Sequence, residues 1–450
     1  MRRHLIRWTA TLIALAPVVA AQVTFSTGRA TAVQADSKVR LIVMLDADAG
    51  VDMVCGMASA TPVAKACATE GLYLIESVEV LPSNQAATFA QQVGELPGVV
   101  YSEVVQAVRS PEVEACGAPI GVSAQQCTIA FADGTPSEGE FLDQDPLSDL
   151  GYALAQMWWF NNDHQPSLVA IIDTGVDASH PAIASKVVQF GWDFITELPQ
   201  ATDMANGIDD DGDGWVDEAF GHGTHLASIV TLLNPDARIL PLRVLDADGN
   251  GDSFDVADAI YYAVDHGAQV INLSLSMKTQ SLAVALALEY ARFADVPVFT
   301  SAGNTGKQKV LFPGNYDPDK LDFDLPFLPV GWTPSKDAVT TVASVEECNV
   351  KAQFSAWGVS VDLVAPGVDI YGAMPGGGYA WWSGTSMSTA VASGVASLVL
   401  SVAGPDLSIP PAHLLMDTAQ PVDWVNQEYF GLLGEGSVDA WQASVEASKD

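Results

Sequence analysis

Apolar and polar positions change rhythm several times along the chain, and the changes divide it. A basic start, Met1-Arg2-Arg3, leads into an apolar run from Trp8 to Ala20 and the small pair Ala20-Ala21. The run is short for a bilayer-spanning helix, so residues 1–21 are expected to be an export signal. No later stretch is expected to be long and charge-free enough to cross a membrane. After a small, polar stretch, Lys38 to Leu45 and Tyr73 to Val80 read as strands, and Ala86 to Val93 reads as a helix ahead of the block Leu96 to Val105. This alternation predicts a small α+β unit over residues 36–108. Arg109 to Gln144 is rich in Pro, Gly, Ser, Glu and Asp and keeps no period, so 109–143 is expected to be a linker or exposed loop.

From Ser167 the rhythm is strand, helix, strand. Val169 to Ile172, Ile239 to Leu245, Val270 to Leu275 and Val296 to Ala302 are short apolar runs. Between them, Ser253 to His266 and Ser281 to Ala294 have helical spacing, the first ended by Gly267. Repetition of this unit predicts an α/β domain over residues 144–450: a mostly parallel sheet between two helix layers, with chemistry at the carboxyl ends of the strands. Leu311 to Trp332 reads as a loop.

Charge excludes some partners. The 450 residues include 55 acidic and 19 basic ones, a net charge of −36. Such a field repels phosphate backbones and anionic lipid, so neither nucleic acid nor a membrane surface is expected as a partner. Five cysteines in an exported chain suggest pairing, with Cys55/Cys67 and Cys116/Cys127 as neighbours in sequence and Cys348 left over. Spacing leaves the connectivity open. Cys348 follows two glutamates and has no nearby His, which argues against a catalytic thiol.

Three short motifs carry chemistry. Ser383-Gly384-Thr385-Ser386-Met387-Ser388-Thr389 precedes a long apolar run, which places Ser386 where a loop enters a buried helix. Taken alone, Ser386 would be a helix cap. Val169-Ala170-Ile171-Ile172-Asp173 delivers an acid at the end of a buried strand, and Gly221-His222-Gly223-Thr224-His225 puts a His at the mouth of another apolar helix. Asp, then His, then Ser is the chain order of one of the triad architectures.

With these blocks the chain resembles the subtilisin-like serine peptidases. The resemblance implies that His222 takes the proton of Ser386, that Asp173 orients the imidazole, and that the Asn304 amide in Thr300-Ser301-Ala302-Gly303-Asn304 helps to hold the oxyanion. It implies substrate strands at Asp248-Gly249-Asn250-Gly251 and Ser274-Leu275-Ser276, making Gly249, Gly251, Ser274, Leu275 and Ser276 substrate-binding. It further implies an inhibitory, chaperoning propeptide at residues 36–108, self-cleavage in or beside 109–143, export, and protein or peptide substrates. The mature peptidase would begin near Asp145-Pro146-Leu147 and run through Leu433 to Ala440, and Leu311 to Trp332 looks like an insertion. Two positions depart from the family pattern: Ser276 where many relatives carry Gly, and Ala390 where Pro is usual. They motivate the rival reading, a catalytically impaired subtilase-fold scaffold, against which the retention of all four reactive residues stands.

Asp209-Asp210-Asp211-Gly212-Asp213-Gly214-Trp215-Val216-Asp217-Glu218 alternates acids around a glycine at its sixth position, the opening of a calcium loop. Asp209, Asp211, Asp213 and Asp217 are the candidate ligands of a structural calcium, although Phe220 stands where a bidentate Glu would close such a loop. The plainer alternative is a solvated acidic turn. His222 and His225 lack the intervening Glu of the zinc-protease motif, so His225 is expected to be structural and no catalytic cofactor is expected.

Overall fold

The computed structural model describes residues 37–46, 49–66, 71–112, 130–131, 138–142, 144–160, 164–320, 334–404 and 407–449, in two compact units divided between Val104 and Val105. The expected signal at 1–21 lies outside the described residues, as do Cys67, Cys116 and Cys127.

The first unit contains β1 (Ser37–Leu45), α1 (Val51–Ala58), β2 (Ala60–Lys65), β3 (Leu72–Leu81), α2 (Ala86–Gly94) and β4 (Val99–Val104). Its strands form an antiparallel sheet in the order β2-β3-β1-β4. On β1 every second residue, Val39, Leu41, Val43 and Leu45, packs with Val54 and Cys55 of α1 and Ala90 and Val93 of α2. Cys55 is a free thiol in this core and not half of the expected disulfide with Cys67. Burial, with Asp52 nearby, pushes it up to about 11, so it remains a neutral thiol.

The second unit opens with β5 (Ala107–Arg109), β6 (Ala130–Phe131) and α3 (Tyr152–Phe160). Then come β7 (Leu168–Asp173), β8 (Trp192–Asp193), β9 (Leu198–Pro199), α4 (His222–Leu233), β10 (Arg238–Arg243), β11 (Asn250–Asp252), α5 (Ser253–Asp265), β12 (Val270–Leu273), α6 (Leu282–Phe293) and β13 (Val298–Ser301). β14 (Thr340–Val345), β15 (Leu363–Pro366), β16 (Ile370–Met374), β17 (Gly378–Trp382), α7 (Thr385–Ala403) and α8 (Ala440–Ala447) follow, with two short helices besides, Glu138–Leu142 and Pro411–Asp417. The main sheet has eight strands in the order β15-β14-β13-β12-β7-β10-β8-β9, parallel except for the edge pair β8-β9. Its central runs are apolar throughout because both faces are covered. Val169, Ile171, Ile239, Val270, Phe299 and Val342 share a core with α4 and α7. The helices α5 and α6 pack on each other and on the sheet.

β10 and β12 both flank β7, so the chain turns from one half of the sheet to the other there. Crevices open at the carboxyl ends of strands around such a switch, and Asp173 is the last residue of β7.

Two expectations need correction. α7 is a 19-residue helix long and apolar enough to cross a membrane by length and composition. Its residues are nearly all buried within the domain, which accounts for its apolarity as a core helix. The stretch Arg109 to Glu112, expected to begin an exposed loop, is instead engaged: β5 pairs antiparallel with β11, and Ser110 and Glu112 are buried.

Candidate active site

Three elements converge. Asp173 ends β7, and its Oδ1 accepts the N–H of Thr174 at 2.8 Å and lies 2.7 Å from His222 Nδ1. His222 opens α4 directly after Gly221, whose φ of +94° suits glycine; a Cβ there would lie 2.3 Å from the Met374 side chain. Ser386 is the second residue of α7, where unpaired N–H groups and the helix dipole favour negative charge. All three are fully buried, and Trp382 sets its ring edge-on to His222 at 5.1 Å.

Asn304 follows β13 and is locked by α7. Its Oδ1 accepts from the N–H and the hydroxyl of Thr385 at 3.0 and 2.8 Å, which leaves Nδ2 to donate elsewhere. What it donates to is a side chain that sequence reasoning missed. Glu112 Oε1 accepts from Asn304 Nδ2 at 3.0 Å and from Ser386 N at 3.4 Å. Glu112 Oε2 accepts from Ser386 Oγ at 2.8 Å and lies 3.1 Å from His222 Nε2. A carboxylate thus occupies the place where two donors converge beside a hydroxyl.

The electrostatics follow. Burial alone would raise Glu112, but His222, Ser386 and Ser110 outweigh it and hold the carboxyl below its usual range. Burial alone would lower His222, yet Asp173 and Glu112 on its two nitrogens push it well up. Flanked by two carboxylates, His222 favours its protonated form, which opposes a role as base while Glu112 is in place.

The expected substrate strands also come together here. Arg109 exchanges main-chain hydrogen bonds with Ser276, 3.0 Å from Arg109 N to Ser276 O and 2.8 Å from Ser276 N to Arg109 O. Ser110 N donates to Gly249 O at 2.9 Å, and Val108 pairs with Gly251. Ser274 and Leu275 lie behind this edge, with Ser274 Oγ donating to Ser386 O at 3.2 Å. A segment of the chain's own backbone therefore lies as a strand between Gly249–Gly251 and Ser276.

The model of the subtilase family, peptidase S8, matches residues 165–435. The chain belongs to this family. Among relatives of this subtilase, the thermophilic serine proteinase of Bacillus sp. (strain AK1) is 35% identical over 243 residues, covering 52% of this chain and 52% of its own. Thermitase of Thermoactinomyces vulgaris is 36% identical over 243 residues, covering 52% of this chain and 74% of its own. The chain spans about half the length of the first of these relatives. In fold it is similar to fervidolysin from Fervidobacterium pennivorans, a keratinolytic enzyme related to subtilisin, with a TM-score of 0.65 and 21% identity over 91% of this chain and 61% of that one.

Other residues of the subtilase have structural parts. His225 Nε2 lies 3.1 and 3.3 Å from the carbonyls of Ile370 and Ala380, and burial, with His222 nearby, depresses it to about 3, so it is a neutral donor joining β16 and β17 to α4. Asp203 was also missed: it accepts from Gly221 N, Thr224 N and Thr224 Oγ1 at 3.1, 3.2 and 2.7 Å, capping from afar the helix that carries His222. No periodic pattern marks either Glu112 or Asp203. Ala390 is buried in the α7 core.

In the acidic loop, the carboxylates of Asp209, Asp211 and Asp213 place oxygens within 4.8 Å of one another. Asp217 turns elsewhere in the loop, accepting from the N–H groups of Asn206 and Gly207. Glu218 Oε2 is buried with no hydrogen-bond partner among the described residues. Burial, then the charges of Asp248, Asp213 and Asp211, push Glu218 up to about 7. An orphaned buried oxygen among mutually repelling carboxylates suits a hard cation with oxygen ligands.

Proposed function

We propose that the chain is a serine endopeptidase made as a latent, exported precursor that cleaves itself. The observation that carries the reading is the junction of Asp173, His222 and Ser386 with the paired donors Asn304 Nδ2 and Ser386 N. Once Glu112 has left, Ser386 Oγ attacks the peptide carbonyl carbon while His222 Nε2 takes its proton. The carbonyl oxygen, now negative, takes the place of Glu112 Oε1 between the two donors. Collapse breaks the C–N bond as the imidazolium gives its proton to the leaving amine, and a water deprotonated by the same His222 then releases the acyl group from Ser386. Asp173 keeps the Nδ1 side of the ring occupied throughout.

The segment Ala107 to Glu112 supports latency: it takes up the strand position of a substrate and sets a carboxylate, not a scissile carbonyl, among the reacting groups. Pro111 adds to this, because it has no N–H to extend the pairing. A bound calcium at Asp209, Asp211 and Asp213, near Glu218, would neutralise the loop and tie it down.

Expression of the whole chain beside Ser386→Ala tests the reading. The native chain should shorten at its N-terminal side and label with a fluorophosphonate, and the variant should do neither. Equal shortening of both would refute self-cleavage, and absence of labelling under every activating condition would refute the peptidase.

A further inference from the structure

The chain's own strand reports a preference of the cleft for side chains as well as for backbone. Arg109, the residue that exchanges both main-chain bonds with Ser276, extends to the acidic loop, where its Nη2 lies 3.2 Å from Asp211 Oδ2. The Asp211 side chain is only 2% exposed and that of Arg109 33%. A carboxylate so shielded keeps more of its attraction for a cation than one in open water. Around it stand further acids: Asp209 and Asp213 place carboxylate oxygens within 4.8 Å of its own. Arg109 takes Asp211 Oδ2 while Oδ1 accepts from Asp213 N within the loop, so a neutral side chain at this place would leave Oδ2 unanswered even with a cation among the loop carboxylates, and an acidic one would add negative charge beside it.

Position along the strand follows from the same residues. Ser110, next to Arg109, bonds Gly249 O, and Glu112, three places after Arg109 in sequence, reaches Ser386. An extended substrate in this register would place the attacked carbonyl two residues beyond the one paired with Ser276.

We infer that Asp211 forms a subsite for a basic side chain, so that the cleft selects peptides with Arg or Lys two residues before the residue whose carbonyl is attacked. The inference rests on the peptidase reading and adds the substrate class to it. Ser276 Oγ also donates to Arg109 O at 3.4 Å, a main-chain atom, so that contact carries no side-chain preference.

The experiment uses the self-processed enzyme and fluorogenic peptides that differ only in one residue at this position: Arg, Lys, Gln or Glu. Loss of one partly exposed charge pair corresponds to about tenfold. The kcat/KM should therefore be about tenfold higher for Arg and Lys than for Gln, and lowest for Glu. Asp211→Asn should bring Arg down to the level of Gln, while Asp213→Asn, a neighbour in the same loop, should keep the preference and so separate it from loss of a cation. Equal kcat/KM for Arg and Gln in the native enzyme, or a preference that survives Asp211→Asn, would overturn the subsite. A readout without turnover comes from the full-length Ser386→Ala chain, in which Arg109→Gln and Asp211→Asn should lower the melting temperature by less together than the sum of each alone. Additive shifts would overturn the pair, whereas coupled shifts together with a native, Ser386-containing enzyme that hydrolyses none of the peptides would retain the subsite and sink the peptidase reading.

Discussion

Ser386 Oγ donates its hydrogen bond to Glu112 Oε2 at 2.8 Å, and that same oxygen lies 3.1 Å from His222 Nε2. One carboxylate oxygen therefore faces both the Ser386 hydroxyl and the His222 ring, and the other accepts from Asn304 Nδ2 and Ser386 N, the donors that the peptidase proposal gives to the oxyanion. Removing the charge should shorten latency. In Glu112→Gln, activity should appear about tenfold sooner or more, since a charge-assisted hydrogen bond contributes about 1.5–3 kcal/mol. Onset of peptide hydrolysis measured from the moment of refolding checks this, and an unchanged lag would remove Glu112 from the latent contact.

The same contact sets a pH window. Glu112 is lowered from its usual 4.5, so its share of the latent state's stability is present above that value and fades as pH falls through the lowered one. His222 is raised from its usual 6.5, so its share is present below that value and fades as pH rises through the raised one. Latency should thus be firmest between mildly acid and mildly alkaline pH and loosen at both ends. The melting temperature of the full-length Ser386→Ala chain, a readout that does not depend on His222 as a base, should have a broad maximum in that window and fall on both sides, and a flat or monotonic profile would contradict the two-sided contact.

Asn304 is rigid because Thr385 uses both lone-pair directions of its Oδ1. In Asn304→Ala the donor is lost where negative charge develops, so kcat should fall by about 10²–10³ with KM little changed. Steady-state kinetics of the processed enzyme decide this. A rise in KM with kcat intact would make Asn304 a substrate-binding residue instead.

How much of this was legible depends on range. Asp173 and Asn304 lie at or just past the ends of buried strands and His222 and Ser386 open buried helices, each with a glycine close by in sequence, and such junctions leave a local trace. The core strands were legible for the same reason, as continuous apolar runs. Glu112 was not: β5 has three residues, and its partner β11 begins at Asn250. Pairing across such a separation leaves no periodicity, so a Pro- and Glu-rich opening looked like the start of a solvated loop. β8 and β9, two residues each, are too short to carry a pattern. In the first unit, the alanine-rich stretch concealed α1 and β2 because Ala serves both states and neither segment is long.

The acidic loop carries a linked prediction for stability. Glu218 and Asp246 are both pushed up to about 7, chiefly by burial and then by neighbouring carboxylates. Carboxyls raised in this way favour the fold while protonated, so stability is present below their ordinary values and is lost as pH rises through about 7. Without a cation the melting temperature should therefore decline between pH 5 and 8, roughly the interval spanned by the ordinary and raised values. Calcium should restore it at the alkaline end, by about 2.7 kcal/mol at a hundred times its dissociation constant. Melting curves with calcium and with chelator test this, and identical curves at pH 8, about where ordinary carboxyls are ionised, would argue against a stabilising ion.

Asp203 offers the last test, because it acts on the triad without touching it. It accepts the N–H groups of Gly221 and Thr224 and the Thr224 hydroxyl, and so fixes the first turn of α4 and with it the angle at which His222 meets Asp173. Burial holds it up to about 7, with Asp173 adding to the rise. Asp203→Ala strips the cap and should cost about 1–2 kcal/mol of stability. Asp203→Asn keeps one acceptor and should recover part of that loss. If the role is positioning, kcat should fall in Asp203→Ala and recover in parallel with stability in Asp203→Asn, with KM steady in both. A stability loss unaccompanied by any change in kcat would confine Asp203 to folding, since a misdirected imidazole must slow the proton transfer that begins every turnover.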